Sequence, residues 1–213
     1  MLRLARVAET GELGEPARMH IQEAVAAIHR GEIVGVPTDT VYGLAVDPLQ
    51  AGAVRTLFEL KGRPRHKPIG LLSDTLDHFR PLVEVTTTVE ELVADHWPGP
   101  LTLVARSLVP LSDWVGDHER HTVAIRVPDH LLTRELLALT GPLAVTSANP
   151  TDQKPAISHG EAKDLFGDSV AIYLPGICPG GTSSTVVDVT VEPPVVLRAG
   201  PVAWDFQRDE FEG

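Results

Sequence analysis

Residues 61–68, KGRPRHKP, carry four cationic side chains within seven positions, Lys61, Arg63, Arg65 and Lys67. The whole chain has 213 residues and a formal net charge of -11, so this cluster opposes the overall charge. Arginine presents a planar fork of N–H donors and lysine presents a point charge, and the two together suit the oxygens of a polyphosphate. Charge runs are more often solvated turns. From the residues alone, a phosphate-binding loop and a solvated turn are both open.

Two polar segments follow predicted strands. Residues 37–44, PTDTVYGL, lie between two strands, where threonine and aspartate side chains commonly bond to their own backbone in a turn. Residues 146–150, TSANP, place Ser147 and Asn149 where a strand ends, which favours either a ligand site or a helix cap. The loop 175–185, PGICPGGTSST, can present backbone N–H groups and hydroxyls to an anion.

Common signatures for nucleotides, metals and disulfides are missing from the sequence. It contains neither GxxxxGK[ST] nor a GxGxxG that follows a strand. The histidines of HERH, His118 and His121, have no third candidate ligand, so we predict no metal site there. Cys178 is the single cysteine, which excludes an intramolecular disulfide and a thiolate-rich zinc site.

The composition is that of an ordinary globular protein, with 43% hydrophobic and 22% charged residues. We expect one domain over 1–213, with a core at about 14–203 and an acidic tail over 204–213; two small domains are the alternative. No apolar run is long enough to span a bilayer, so we expect no membrane association and a cytoplasmic location. The negative net charge disfavours extensive nucleic-acid binding.

The elements that must position these residues alternate between helix and strand. Helical spacing or caps predict helices over 16–30, 53–61, 87–97, 130–139 and 158–166. Apolar runs predict strands within 32–38, 69–72, 101–106, 122–127, 143–148, 170–174, 185–189 and 195–199. This alternation indicates an α/β fold with flanking helices. The strand-rich stretches near 101–127 and 170–198 favour a mixed sheet over a purely parallel one.

Seven segments, in order, resemble the YrdC-like family of threonylcarbamoyl-AMP synthases. They are PTDTVYGL, KGRP, WPGPLT, TVAIRVPDH, TSANP, STVVD and LRAG, and they span residues 37–200. The resemblance implies a short, single-domain form whose twisted mixed sheet carries a large concave, positively charged cavity. The sequence departs from the family at Leu72, where members often have histidine, and at Ala156 and Ala199.

The resemblance also implies a set of site residues. The family signature of catalytic residues is matched by Lys61, Arg63, Ser147 and Asn149. The positions that contact ATP are matched by Arg63, Lys67, Thr122, Ser147 and Arg198. The positions that hold threonine are matched by Thr40, Arg126, Val145 through its backbone, and Ser184. The resemblance implies no metal ligand from the protein.

The implied reaction joins L-threonine, bicarbonate and ATP, with Mg²⁺, into threonylcarbamoyl-AMP and pyrophosphate. Proteins of a threonylcarbamoyl-transfer complex would then use the product to modify tRNA beside the anticodon, and we expect no stable tRNA binding by this chain. One alternative is a non-catalytic RNA-binding paralogue of the same fold. Another is a synthase for a related carbamoyl-adenylate, as in hydrogenase maturation.

Overall fold

The computed structural model describes residues 13–203 of the chain. Residues 1–12 and the predicted acidic tail over 204–213 lie outside the described residues, so the proposed extent of the domain stays a prediction. None of the helices in the described part is long and apolar enough to cross a membrane.

Each of the five predicted helices is present, with ends shifted by a few residues. Their bounds are α1 Glu15–His29, α2 Ala51–Lys61, α3 Thr87–His96, α4 Leu131–Thr140 and α5 His159–Phe166, the last being followed by a 3₁₀ turn at Gly167–Ser169. Thr86 caps α3, because its side chain accepts a hydrogen bond from the backbone N–H of Val89 at 3.3 Å. Ser158 caps α5 in the same way through Glu161.

The strands form one mixed sheet. Their bounds are β1 Val34–Val36, β2 Gly43–Val46, β3 Gly70–Leu72, β4 Leu101–Arg106, β5 Thr122–Arg126, β6 Leu143–Ser147, β7 Ile172–Tyr173, β8 Thr185–Asp188 and β9 Val195–Arg198. Within the described residues the sheet has nine strands in the order β7-β1-β2-β6-β3-β5-β4-β8-β9. Three neighbouring pairs, β1 with β7, β3 with β5 and β4 with β8, are parallel and the others are antiparallel, which confirms the mixed sheet.

The two faces of the sheet are covered differently. Residues of α2, α3 and α5 join the larger hydrophobic cluster, to which the central strands contribute alternate residues such as Leu71, Ile125 and Val187. The other face is covered by α1 and α4 over β1 and β2, and Leu72 and Val145 pack at the margin of that smaller cluster. Successive side chains of a strand point to opposite faces of the sheet. In the central strands, the residues that flank the core residues in sequence therefore point to the other face, which α1 and α4 leave partly open.

Candidate functional site

A cavity of about 260 Å³ lies on this partly open face. It is lined by residues from seven strands and the loops beside them: Thr38, Thr40, Val41, Gly43, Arg63, Pro68, Gly70, Leu71, Leu72, Thr102, Ala124, Arg126, Val145, Thr146, Ser147, Ser183, Ser184, Val186 and Arg198. Three of these described residues are arginines and none is acidic, so the cavity is cationic in a chain of net charge -11. Such a site is suited to anionic ligands.

The glycine at the end of α2 positions the first two cations of the basic segment. Gly62 adopts a left-handed conformation with φ of 59°, and its N–H donates to Glu59 O at 3.1 Å. The next N–H, of Arg63, donates to Phe58 O at 2.9 Å, which completes a Schellman cap. The chain therefore turns sharply between Lys61, which stays on the last helical turn, and Arg63, which points to the cavity.

Lys61 is 3% exposed and lies behind the cavity lining, against the loop that follows β6. Its ammonium donates to the backbone oxygens of Ser147 and Asn149 and to Asn149 Oδ1. Burial lowers the pKa of Lys61 to about 7, and repulsion by Arg63 adds to the effect. Lys61 thus ties the end of α2 to the TSANP loop as well as supplying charge near the cavity.

The Arg63 guanidinium lies at the cavity wall and is held by its own loop. Nε donates to Lys67 O at 2.7 Å and Nη2 donates to Pro68 O at 3.0 Å. Nη1 reaches across to Thr146 Oγ1 at 3.4 Å. Burial lowers the pKa of Arg63 below its ordinary value, but a guanidinium is not deprotonated in proteins, so the group stays charged. These contacts fix a cation at the cavity before any ligand arrives.

The TSANP segment forms a small network rather than a helix cap. Ser147 Oγ donates to Asn149 Oδ1 at 2.6 Å, and Asn149 Nδ2 donates to Pro150 O and Gln153 O, both at 2.8 Å. The cap interpretation is wrong, because the next helix begins only at His159 and is capped by Ser158. Ser147 lines the cavity, while Asn149 is buried behind it and shapes the loop.

Arg126, at the end of β5, is 6% exposed and meets the PTDTVYGL segment. Nη1 donates to Thr40 Oγ1 at 3.1 Å, Nε donates to Gly99 O at 2.9 Å, and Nη2 pairs with Asp39 Oδ1. The turn interpretation of this segment is also confirmed, since Thr38 Oγ1 donates to Val41 O at 2.7 Å. The segment is therefore both a turn and part of the cavity wall.

Ser184 and Arg198 meet at the opposite wall. Arg198 donates from Nε and Nη2 to Ser184 O, at 3.0 and 2.8 Å, and Nη2 also lies 3.0 Å from Ser184 Oγ. Ser184 Oγ is 2.7 Å from Thr102 Oγ1 of β4. This packing depends on Gly200, because a Cβ there would clash with the backbone nitrogen of Thr185. Partial desolvation of the guanidinium lowers the pKa of Arg198, but a guanidinium is not deprotonated in proteins and stays charged.

Two of the implied ATP-contacting residues lie outside the cavity lining. Thr122 is buried at the start of β5, the end of the strand remote from Arg126, where its backbone pairs with Asp117. Lys67 is solvent-exposed, and its ammonium lies 3.3 Å from Asp152 Oδ1. The other implied residues, apart from Lys61 and Asn149, line the cavity: Thr40, Arg63, Arg126, Val145, Ser147, Ser184 and Arg198.

Sequence reasoning did not single out Asp39, Thr38, Thr102, Thr146 or Ser183, although all but Asp39 line the cavity. All five lie inside the polar segments and motifs described above, and that position is the signal by which they could have been identified as site residues. The sequence could not reveal that Asp39 pairs with Arg126, because 87 residues separate the two.

The described residues contain no group of three or more His, Cys, Asp or Glu side chains arranged to hold a metal ion. His118 and His121, which sequence spacing left without a third ligand, belong to the residues searched. Cys178 is a buried free thiol whose Sγ accepts from Thr38 N at 3.3 Å.

Comparison with known proteins places the chain beside threonylcarbamoyl-AMP synthases. A Mycobacterium tuberculosis protein to which this name is provisionally given is 39% identical over 199 residues, covering 92% of this chain and 91% of the relative. The threonylcarbamoyl-AMP synthase of Pseudomonas savastanoi pv. phaseolicola is 36% identical over 183 residues, with 84% of this chain and 97% of the relative covered.

A solved structure extends the likeness to three dimensions. Pyrococcus abyssi Sua5, crystallised with L-threonine, superposes with a TM-score of 0.75 and 35% identity over 84% of this chain. The match covers 54% of that protein, so this chain spans about half of its length.

The Sua5/YciO/YrdC family model, described as "Telomere recombination", matches residues 26–200. That range contains all eleven site residues implied by the sequence and every strand of the sheet. The chain therefore belongs to the Sua5/YciO/YrdC family.

Proposed function

We propose that this chain is an L-threonylcarbamoyladenylate synthase, a nucleotidyltransferase that converts L-threonine, bicarbonate and ATP into threonylcarbamoyl-AMP and pyrophosphate. The observation that carries the proposal is a cavity in which three guanidiniums converge with the hydroxyls of two walls. The names of the relatives and the threonine bound to P. abyssi Sua5 support the choice of substrates.

The amino acid is proposed to bind near Arg126. Its carboxylate would meet the guanidinium, because a guanidinium fork matches a carboxylate in shape and charge. It would also accept the Thr40 hydroxyl proton, which would turn from Thr38 to the ligand. Ser184 at the other wall offers a hydroxyl to the amino acid, and the backbone of Val145 offers a polar contact. Leu72, also in the lining, gives an apolar surface for the threonine methyl group.

The nucleotide is proposed to bind across Arg63, Ser147 and Arg198, with Lys67 exchanging Asp152 for a phosphate oxygen. Arg63 and Lys67 would hold the triphosphate, while Ser147 and Arg198 would complete its contacts. Lys61 and Asn149 act from behind, by fixing the loop that carries Ser147. For Thr122 we propose a contact only with a nucleotide that extends beyond the cavity lining.

The proposed reaction has two steps, carbamate formation and adenylate transfer. The amine of threonine adds to the carbon of bicarbonate, and loss of water leaves an N-carbamate. A carbamate oxygen then attacks the α-phosphorus, a new O–P bond forms, and the bond to the bridging oxygen breaks to release pyrophosphate. All partners in the second step are anionic, so fixed cations and positioning supply the catalysis without a covalent enzyme intermediate.

We propose that Mg²⁺ enters as the ATP complex rather than as a protein-held ion. The cavity lining of the described residues offers hydroxyls and guanidiniums but no carboxylate, whereas Mg²⁺ prefers carboxylate and phosphate oxygens. The residues thus do not fit a protein-held metal site, and the triphosphate would supply the ligands.

We also propose that the adenylate passes, in the cytoplasm, to proteins of a threonylcarbamoyl-transfer complex that modify tRNA. No stable tRNA binding is required for this role, and the net charge of -11 is unfavourable to it.

The test is to incubate the protein with ATP, Mg²⁺ and ¹⁴C-bicarbonate, and to separate the products rapidly. We expect labelled threonylcarbamoyl-AMP and an equal amount of pyrophosphate only when L-threonine is present. L-valine, which has threonine's shape without its hydroxyl, serves as the matched control and should give far less product. A folded protein that forms no labelled adenylate with threonine would refute the proposal.

A further inference from the structure

Among the described residues, the two Asp–Arg ion pairs whose carboxylate is largely buried differ in how well that carboxylate is satisfied. Asp188 has a partner for each oxygen: Oδ1 accepts from Thr190 N and Oγ1, at 3.0 and 2.6 Å, and Oδ2 accepts from Arg120 at 2.6 Å. Asp39 has one oxygen on Arg126, while its Oδ2 is buried and has no hydrogen-bond partner among the described residues. An unsatisfied buried oxygen is costly for stability, so the Asp39 pair is not arranged for stability alone.

The Arg126 guanidinium is held from three sides. Gly99 O, Thr40 Oγ1 and Asp39 Oδ1 each accept from a different nitrogen. A guanidinium has five N–H groups, so two remain after these contacts, one on each terminal nitrogen. Because Arg126 also lines the cavity, those two N–H groups are the ones available to a ligand's carboxylate.

The hydroxyl beside Arg126 is oriented by the same turn. Thr38 Oγ1 donates its proton to Val41 O, so in the 3.0 Å contact between Thr38 and Thr40 the donor is Thr40. Thr40 Oγ1 meanwhile accepts from Arg126. The backbone of Asp39 lies between these two threonines, and its side chain therefore links the turn to Arg126 at a fixed position.

Charge also requires a partner for this arginine. Burial lowers the pKa of Arg126, the attraction and hydrogen bond of Asp39 oppose that effect, and Arg198 adds repulsion. Asp39 is thus the carboxylate that compensates this buried cation, which shares the cavity with two other arginines. His130 lies close enough to Asp39 for the carboxylate to influence its pKa. Burial nevertheless lowers the pKa of His130, so the imidazole is neutral at neutral pH and Arg126 is the cation that balances Asp39.

We infer that Asp39 is a positioning residue, which orients Arg126 so that its two remaining N–H groups bind the carboxylate of the amino-acid substrate. The inference rests on the proposed function, because that function supplies an amino acid as ligand. Asp39 acts through Arg126 and lies outside the cavity lining. Its loss should therefore weaken binding of the amino acid and leave binding of the nucleotide unchanged.

The test compares Asp39→Asn with Asp188→Asn, the matched change in a pair whose two residues do not line the cavity. The asparagine side chain of Asp39→Asn retains an oxygen that can accept from Arg126 but carries no charge. We therefore expect the KM for L-threonine to rise about 10-fold or more, with the KM for ATP unchanged within about 2-fold. Asp188→Asn should lower Tm and leave both KM values unchanged. An unchanged threonine KM in Asp39→Asn, or an equal rise in both KM values, would overturn the inference.

A double variant separates positioning from a general loss of structure. In the Arg126→Lys background, adding Asp39→Asn should change the threonine KM by less than about 2-fold, because the side chain through which Asp39 acts is already altered. Full additivity of the two changes would contradict the inference. Should Asp39→Asn fail to fold, Asp39→Glu keeps the charge but displaces it from Arg126, and it should likewise raise the KM for threonine alone.

The wild-type protein separates this inference from the proposed function. L-threonine binding is measured directly by calorimetry, alongside turnover. A wild type that neither binds nor converts threonine would overturn both. A wild type that converts threonine with a KM insensitive to residue 39 would overturn only the role of Asp39.

Discussion

The two halves of the basic segment 61–68 lie in different surroundings. Lys61 and Arg63 are buried or half-buried, and protein oxygens surround both. Arg65 and Lys67 are exposed; Arg65 stacks over the Trp114 ring at 4.9 Å, and Lys67 pairs with Asp152. The first half therefore fits the prediction of a phosphate-binding loop, and the second half resembles a solvated turn.

One run of charged residues can therefore contain two kinds of cation. Four like charges in seven positions look equivalent in the sequence. Lys61 is buried at the end of α2, the turn at Gly62 brings Arg63 to the cavity wall, and the later two cations face solvent. Cations that are already held by carbonyl oxygens need little rearrangement to meet an anion, which is the condition for electrostatic catalysis. Exposed cations are screened by salt and contribute much less.

The largest effect on activity is expected from Arg63→Ala. Removing the cation at the cavity wall should reduce kcat/KM for adenylate formation by about 100-fold or more, because the charge acts on the transferring phosphoryl group. The cost in stability should be about 1 to 2 kcal/mol, for the lost bonds to Lys67 O and Pro68 O. Steady-state kinetics and urea unfolding measure the two effects.

Arg65→Ala is the matched control for Arg63→Ala, since it removes the same charge from the outer half of the segment. It should leave kcat/KM within about 2-fold and cost about 0.5 kcal/mol for the contact with Trp114. Equal losses of activity in the two variants would show that the inner and outer cations are not distinct.

Replacing Lys61 by methionine tests the buried end of the segment through stability. The backbone oxygens of Ser147 and Asn149 would lose their donor, which should cost about 2 kcal/mol at neutral pH. The pKa of Lys61 in the folded chain, about 7, is below its ordinary value of 10.5, so the buried charge destabilises the wild type most at or below pH 7. That penalty is relieved as the pH rises from about 7 towards 10.5.

Relative to Lys61→Met, the wild type should therefore gain stability as the pH rises from about 7 to about 9, with a slope of at most about 1.4 kcal/mol per pH unit. Urea unfolding of both proteins at several pH values across that range measures this difference. Parallel stability curves would mean that the ammonium of Lys61 stays charged throughout the range.

A small, salt-dependent effect is expected at the exposed ion pair of Lys67 and Asp152. Lys67→Ala should raise the KM for ATP by about 2- to 5-fold at low salt and have less effect at about 0.5 M salt, because the side chain is solvated. Asp152→Asn should shift the KM for ATP the other way, since it frees Lys67 for a phosphate. A loss at Lys67 as large as that at Arg63, independent of salt, would place Lys67 with the inner cations.

The helices and most strands could be predicted because their signals are local. The spacing of Ile21, Ala24 and Ile28 predicts α1, and Gly31 ends it with φ of 77°. The strand β2 was harder to predict. The sequence places the segment 37–44 between two strands but does not show where the second of them begins or ends. The structure starts that strand at Gly43, inside the segment, where a short run follows directly on a turn.

The cavity residues could be named from motifs, but their bonds could not. Arg126 reaches Asp39, and Lys61 reaches Asn149, across 87 and 88 positions of sequence. Such contacts depend on the strand order, which places β6 between β2 and β3, and no local pattern encodes that order. The motifs list Thr122 and Lys67 together with Arg63, although neither of the two lines the cavity. Their positions depend on the length of β5 and on the exposure of the loop, which a motif does not encode.

The shared position of Leu72 and Val145 links ligand binding to the motion of the helices beside the cavity. Both side chains line the cavity and also pack against the cluster formed by α1 and α4. We expect a ligand seated on them to restrict the local opening of that helix pair, which would slow amide hydrogen exchange in α1 and α4. Helices that never touch the substrate thereby report whether the cavity is filled.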